Sequence, residues 1–61
     1  MKASEVIKLI EGAGWYWVRQ RGSHQIFKHK EHSANIAVPV HGKDDLKPGT
    51  LNDILKTAGL K

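Results

Sequence analysis

The chain has 61 residues, which leaves room for one domain and no linker, so we expect a single domain over residues 1–61. It contains no cysteine, which excludes disulfide bonds and thiolate metal sites. Its formal charge is +4, and it lacks a membrane-length apolar run and a charged-then-apolar leader, so we expect a soluble, cytoplasmic protein.

The first predicted element is an amphipathic helix. Its apolar face is formed by Val6, Leu9, Ile10 and Ala13. We expect Ser4 or a neighbour to cap the helix, with Glu5 near the positive end of the helix dipole. Gly12 and Gly14 bracket its end.

A β-hairpin follows the helix. Residues Trp15–Arg19 are rich in aromatic and β-branched side chains, and His24–Lys28 return as a second strand after the turn Arg21–Ser23. Within that turn, Gly22 is free to adopt a positive φ. Alternation along the second strand puts Phe27 in the core and His24 on the opposite face, where Ile26 would be partly exposed.

A polar stretch, His29–Ala34, is predicted to lead to a third strand at Asn35–Val40. One face of that strand carries Ile36, Val38 and Val40. After a polar loop, His41–Lys47, Pro48 fits the first position of a final helix that ends at Gly59. The buried stripe of this helix comprises Leu51, Ile54, Leu55 and Ala58.

The predicted order α-β-β-β-α is that of an α+β domain. Its simplest architecture is a three-stranded antiparallel sheet with both helices on one face and the other face open. Double-stranded-RNA-binding domains have this layout, although a shared fold does not establish a shared function.

Positive charge is concentrated on the hairpin. No acidic residue occurs between Glu11 and Glu31. The basic residues in this interval are Arg19, Arg21, Lys28 and Lys30. Such a block of one sign indicates either a phosphate-binding surface or an ordinary solvated face.

His24 is the best candidate for a chemically active residue, because a glycine turn delivers it to an open, basic sheet face. RNA carries its own nucleophile, the 2′-hydroxyl, and an imidazole can accept that proton or donate one to the departing 5′-oxygen. Nearby Lys and Arg would stabilise the charge that develops on phosphorus. The simpler alternative is a surface histidine without a role.

Two other kinds of site are less favoured. The spacing of the four histidines at 24, 29, 32 and 41 is irregular, which argues against a metal site. Asp44 and Asp45 are adjacent acidic residues, but they indicate a solvated loop more than a magnesium site.

The aromatic residues of the first strand have more than one possible role. Tyr16 and Trp17 are adjacent in a strand, so their side chains lie on opposite faces of the sheet. Trp17 either packs in the core or, if it lies on the open face, stacks on a base or is covered by a partner. The sequence leaves open which face of the sheet Trp15 and Trp17 occupy.

Almost the whole chain resembles the HicA family of bacterial toxins, the mRNA-cleaving members of HicA–HicB toxin–antitoxin pairs. The resemblance covers the first helix at residues 4–11, Gly14-Trp15, the turn Arg21-Gly22-Ser23-His24 and the third strand at Ile36–Pro39. It continues through Lys47–Leu51, Ile54-Leu55 and Ala58–Leu60 in the last helix.

This resemblance implies a double-stranded-RNA-binding-like fold, mRNA endoribonuclease activity and neutralisation by a HicB-type antitoxin that covers the active face. It implies that His24 is catalytic and that Gly22 shapes its turn. No small-molecule cofactor, metal or membrane is expected. The expected RNA-binding set is Arg19, Arg21, Gly22, Ser23, Lys28 and Lys30.

Two functions of other classes remain as alternatives. The same basic face could serve a non-catalytic RNA-binding module, which binds RNA and leaves it intact. The chain could also be a helix-packing interaction domain whose charge is incidental. Cleavage of RNA separates the first function from both alternatives, and salt-dependent RNA binding separates the two alternatives from each other.

Overall fold

The computed structural model describes residues 1–42 and 45–61. Its elements are α1 (Ala3–Gly12), β1 (Tyr16–Arg21), β2 (His24–His29), β3 (His32–Pro39) and α2 (Pro48–Thr57). The strands form one antiparallel sheet in the order β1-β2-β3. The predicted α-β-β-β-α order is therefore confirmed. In the part of the chain that the structure describes, no helix has the length and apolarity needed to cross a bilayer.

One hydrophobic core lies between the helices and one face of the sheet. It comprises Ala3, Val6, Ile10, Trp15, Phe27, Ile36, Val38, Leu46, Ile54 and Ala58. The indole N–H of Trp15 reaches the Ala58 carbonyl at 3.4 Å, so the entry to β1 is tied to the end of α2. Because both helices contribute to this core, they cover the same face of the sheet, as predicted, and the other face is open.

Helix α1 begins earlier than its predicted cap. Lys2 is the N-cap residue, and its backbone N–H donates to Glu5 Oε1 at 2.8 Å, so Ser4 lies inside the first turn. Leu9 was expected on the buried face, but its side chain is 45% exposed. The buried positions of this helix are Ala3, Val6 and Ile10. Their 3-and-4 spacing defines a stripe to which Leu9 is peripheral.

Strand β3 is longer than predicted, because it begins at His32 and not at Asn35. His32 pairs with His29, so only Lys30 and Glu31 connect β2 to β3. The predicted polar loop at 29–34 is therefore wrong. Its polar residues carry no hydrophobic alternation, and their extended conformation follows from pairing with β2. Val40 lies just after the strand and is half-buried.

A β-bulge in β1 decides which side chains share a face. Trp17 pairs with Phe27 and Arg19 pairs with Ile26, so Val18 is an extra residue on β1. Simple alternation would put Arg19 on the same face as Trp17, but the bulge shifts the alternation by one position. Trp17 consequently shares the helix-covered face with the buried Phe27, and Arg19 lies on the opposite face with Ile26.

The segment before α2 contains a buried anchor that was not predicted from the sequence. Leu46 is 8% exposed and belongs to the core, and its backbone N–H donates to the Met1 carbonyl at 2.8 Å. Lys2 and Asp45 form an antiparallel bridge beside it. The start of the chain thus holds the segment that precedes α2. The prediction made for Asp44 lies outside the described residues.

Candidate functional site

His24 lies at the first position of β2, where a two-residue turn delivers it. Gly22 has φ of +58° and Ser23 does not have a positive φ, which is the pattern of a type II′ hairpin turn. By register, His24 lies between Arg21 on β1 and Pro39 on β3. Its side chain is exposed, as predicted.

The turn is held from several directions. The Gln20 side-chain amide donates to the Gly22 carbonyl at 2.8 Å, and the Val40 N–H donates to the Ser23 carbonyl at 2.8 Å. Gln25 donates to Gln20 Oε1 at 3.2 Å and accepts a hydrogen bond from the Trp17 indole N–H. These amide contacts lie on the helix side of the sheet and leave the His24 side free for a ligand. Trp17 therefore helps to stabilise the turn through its hydrogen bond to Gln25, although its side chain remains 52% exposed.

The open face gathers much of the predicted basic block around His24. Residues that pair across two strands share a face of the sheet. Three pairs lie on the open face: Arg21 with His24, Arg19 with Ile26, and Tyr16 with Lys28. Lys28 is four residues from His24, or about 13 Å along the strand. We call the surface formed by Tyr16, Arg19, Arg21, His24 and Lys28 the basic face.

Ile26 lies at the centre of the basic face. It is 8% exposed, although it was expected to be partly exposed, and it is separate from the residues of the main core. Arg19 flanks it on β1 and Ala37 flanks it on β3. Long Arg side chains cover apolar surface with their methylene groups, which explains how an isoleucine is buried on an open face.

Other members of the predicted site lie apart from this surface. Lys30 is in the β2–β3 turn, at the opposite end of β2 from His24. Ser23 contributes its backbone carbonyl to the turn. The structure thus groups Arg19, Arg21 and Lys28 with His24 and leaves Lys30 at a distance.

A cleft of about 360 Å³ adjoins His24 at the end of the sheet. Its lining residues are His24, Pro39, His41, Asp45, Leu46, Lys47 and Thr50. Lys47 is the N-cap of α2, with Pro48 following at the first helical position as predicted. The Asp45 carboxylate lies 3.8 Å from Lys2 Nζ, so part of its negative charge is balanced.

Sequence reasoning did not identify His41, Lys47 and Thr50 as neighbours of His24. A signal was nevertheless available, because the two strands are antiparallel and the start of β2 must lie beside the end of β3. Residues that directly follow β3, including His41, therefore come close to His24. The approach of Lys47 and Thr50 depends on where α2 packs, which the strand pattern does not specify.

The other two histidines form a cluster with Trp15 at the far end of the sheet. The ring centroids of His29 and His32 lie 5.2 and 5.1 Å from that of Trp15. His29 Nδ1 accepts a hydrogen bond from the Glu31 N–H, so its Nε2 carries the proton and donates to the Ala13 carbonyl at 3.0 Å. Among residues 1–42 and 45–61, no three His, Asp or Glu side chains converge as metal ligands.

Comparison with known proteins identifies the family. Curated proteins give no match to the chain. The family model described as the HicA toxin of bacterial toxin–antitoxin systems matches residues 3–60. This match covers nearly the whole chain, including both helices, the hairpin turn and His24. The chain therefore belongs to the HicA toxin family of bacterial toxin–antitoxin systems.

Proposed function

We propose that the chain is an mRNA endoribonuclease that uses His24 in acid–base cleavage and needs no metal ion. The observation that carries this proposal is the position of His24. It is exposed on a face that bears Arg19, Arg21 and Lys28, and it borders a cleft at the end of the sheet. A toxin of this family acts within a toxin–antitoxin pair. We infer that the antitoxin is of the HicB type and that both proteins act in the cytoplasm, where mRNA is found.

The basic face supports RNA as the substrate. Arg19, Arg21 and Lys28 supply cationic groups for phosphates along one side of the sheet. Tyr16 is 50% exposed at the end of that side, opposite Lys28, and an exposed aromatic ring can stack on an unpaired base. Cations interleaved with an aromatic ring are typical of surfaces that bind single-stranded nucleic acid.

The chemistry follows from what RNA supplies. The 2′-hydroxyl loses its proton, the 2′-oxygen attacks the adjacent phosphorus, and the P–O5′ bond breaks as the 5′-oxygen takes up a proton. An imidazole performs such proton transfers near neutral pH. Arg21, directly across from His24, is placed to stabilise the additional negative charge on the phosphoryl oxygens. The nucleophile comes from the substrate, so neither a protein nucleophile nor a metal-bound hydroxide is required.

The products and the substrate requirements test this mechanism. Purified protein should cleave RNA in the presence of EDTA and leave a 2′,3′-cyclic phosphate, or its opened form, and a 5′-hydroxyl. RNA with 2′-deoxy or 2′-O-methyl at the scissile nucleotide should resist cleavage. His24→Ala should lower the rate by about 10²- to 10⁴-fold, the usual contribution of a general acid–base group, while circular dichroism stays unchanged.

Three results would contradict the proposal. A 5′-phosphate product, or activity lost with chelator and restored by magnesium, would rule out histidine acid–base cleavage. Wild-type cleavage by His24→Ala would show that this residue is not the catalyst. RNA that is bound in a salt-dependent manner but stays intact would identify a non-catalytic RNA-binding module.

A further inference from the structure

Cleavage by the 2′-hydroxyl requires two proton transfers at different atoms. One group removes the proton from the 2′-oxygen, and a second group protonates the departing 5′-oxygen. The two oxygens lie on opposite sides of the reacting phosphorus, so two separate side chains serve them best. His24 accounts for one of these groups, and the second is so far unassigned.

Two of the remaining histidines are unsuited to this role. His29 is five residues from His24, or about 17 Å along β2, and both of its ring nitrogens are engaged, with Glu31 N–H and the Ala13 carbonyl. His32 pairs with His29 at that same end of the sheet and packs against Trp15. Both belong to the structural cluster around Trp15.

His41 is placed differently, because it lines the same cleft as His24. His24 enters the cleft from the start of β2, and His41 enters it from the segment that follows β3. Both side chains are exposed, and the cleft volume of about 360 Å³ is within the range of about 300–1,000 Å³ typical of ligand pockets. The cleft is therefore large enough for a phosphodiester and its adjoining sugar.

The rest of the cleft suits a phosphodiester. Lys47 supplies a cation and Thr50 supplies a hydroxyl donor at the start of α2. Pro39 and Leu46 form apolar walls, and the burial of Leu46 in the core fixes the position of the residues that directly precede α2. Of the described residues, Asp45 is the acidic group of this lining, and its carboxylate lies 3.8 Å from Lys2 Nζ.

We propose that His41 is the second catalytic residue and forms an acid–base pair with His24 across this cleft, with Lys47 holding the phosphoryl oxygens. The assignment rests on the ribonuclease function proposed above. One imidazole accepts the 2′-hydroxyl proton as the 2′-oxygen bonds to phosphorus, and the other, as imidazolium, gives its proton to the 5′-oxygen as the P–O5′ bond breaks. The cyclic phosphate and 5′-hydroxyl account for all atoms without an added reactant.

Kinetics of His41→Ala test the pair. The change should lower kcat by about 10²- to 10⁴-fold with little effect on KM, because it removes proton transfer and retains Lys47 and the basic face. His32→Ala is the matched control, since it deletes an exposed imidazole at the opposite end of the sheet, where His32 pairs with His29. It should cleave RNA at the wild-type rate. Thermal unfolding of both variants checks that each is folded.

The pH profile provides a second readout. A pair in which one imidazole is neutral and the other is charged produces a bell-shaped dependence of kcat/KM between about pH 5 and 8. His41→Ala should remove one limb of that bell, which a merely structural role would not do. Among residues 1–42 and 45–61, the charged groups of the cleft are Asp45, Lys47 and, through Asp45, Lys2. Because the two imidazoles are proposed to produce both limbs of the bell, Asp45→Asn should retain both limbs.

A substrate with sulfur in place of the scissile 5′-oxygen identifies the acid. A thiolate departs without protonation, so the variant that lacks the general acid should recover activity on this substrate and the variant that lacks the base should not. The proposal is supported if only one of the two variants, His24→Ala or His41→Ala, regains activity on this substrate. Recovery of both or of neither overturns it.

The failures of the two proposals are distinguishable. Wild-type protein that leaves RNA intact refutes the ribonuclease function itself. If wild-type protein cleaves RNA and His24→Ala does not, but His41→Ala retains the wild-type kcat, only the role of His41 is refuted. Loss of activity in Asp45→Asn together with an active His41→Ala would assign the second proton transfer to the carboxyl group.

Discussion

Gly14 and Gly22 both have positive φ, of +100° and +58°, but a side chain would meet different surroundings at the two positions. A Cβ at Gly22 has no atom within 4 Å, whereas a Cβ at Gly14 would lie 2.7 Å from His29 Nε2. Glycine is therefore favoured at position 22 only because of the positive φ, and not because space for a side chain is lacking. Gly14 also leaves room for the imidazole that binds the Ala13 carbonyl, and so it supports the cluster around Trp15.

Alanine at these positions should destabilise the protein to different degrees. Gly22→Ala should lower the free energy of unfolding by about 1–2 kcal/mol, the cost of a left-handed conformation for a residue with a Cβ. Gly14→Ala should cost more, because the contact with His29 is added to a similar backbone penalty. Urea unfolding followed by tryptophan fluorescence measures both changes.

Gly12 provides the matched control, because it ends α1 without a positive φ, and a Cβ there would have no atom within 4 Å. Gly12→Ala should leave stability unchanged or raise it by up to about 1 kcal/mol. Equal stability of the Gly14 and Gly22 variants would contradict the assigned role of the His29 contact.

At the level of the elements, strand β1 carries the arginines of the basic face. Replacing Arg19, Arg21 or Lys28 with Gln should weaken RNA binding and reduce its salt dependence. The slope of log K against log salt should fall by about 0.7 for each phosphate of a single strand that the variant no longer neutralises. Fluorescence anisotropy with an uncleavable 2′-O-methyl RNA measures affinity without turnover.

Lys8→Gln is the control for charge alone. Lys8 is exposed on α1, which covers the other face of the sheet, so its replacement changes the net charge by the same amount but leaves the basic face intact. Its salt slope should match that of wild type. If Lys8→Gln and the three variants of the basic face gave the same slope, the positive charge would be acting without a defined surface.

The elements also differ in how well local sequence predicts them. The strands that carry buried residues, such as Phe27, Ile36 and Val38, were predicted because alternation marks a half-buried strand. The start of β3 at His32 was not predicted, since the first four residues of the strand are exposed and carry no such alternation. Strand pairing, which acts across the chain, determined that boundary.

At the level of the whole molecule, we expect the antitoxin to bind the basic face and to exclude RNA. The chain has a formal charge of +4, so an acidic surface on the partner would complement the face that bears His24. Adding antitoxin should abolish RNA cleavage in a titration that saturates at a fixed molar ratio. Arg19→Glu should weaken the complex, whereas Lys8→Glu should not.

A complex that retains full nuclease activity would contradict this arrangement. Hydrogen exchange offers an independent measurement, because antitoxin binding should protect the hairpin more than the outer surface of α1. Protection confined to α1 and α2 would place the partner on the helices.

Local composition and periodicity were enough to predict both helices, the hairpin and the open sheet face. These features depend on neighbouring residues: the four-residue spacing of Val6 and Ile10, the turn at Gly22, and Pro48 at the start of α2. His24 could be selected for the same reason, since a glycine turn and strand alternation together place it on the open face.

Three features of the site were decided only by tertiary structure. The bulge at Val18 shifts the alternation of β1, so that Tyr16 joins Arg19 and Arg21 on the face of His24 and Trp17 lies on the other face, and a one-residue irregularity leaves no periodic signal. Burial of Leu46 and the packing of α2 bring Lys47 to the cleft. His41 and His24 are 17 positions apart in the sequence, and they share a cleft because antiparallel pairing puts the end of β3 beside the start of β2. Such juxtapositions arise from long-range packing, which local residue patterns do not encode.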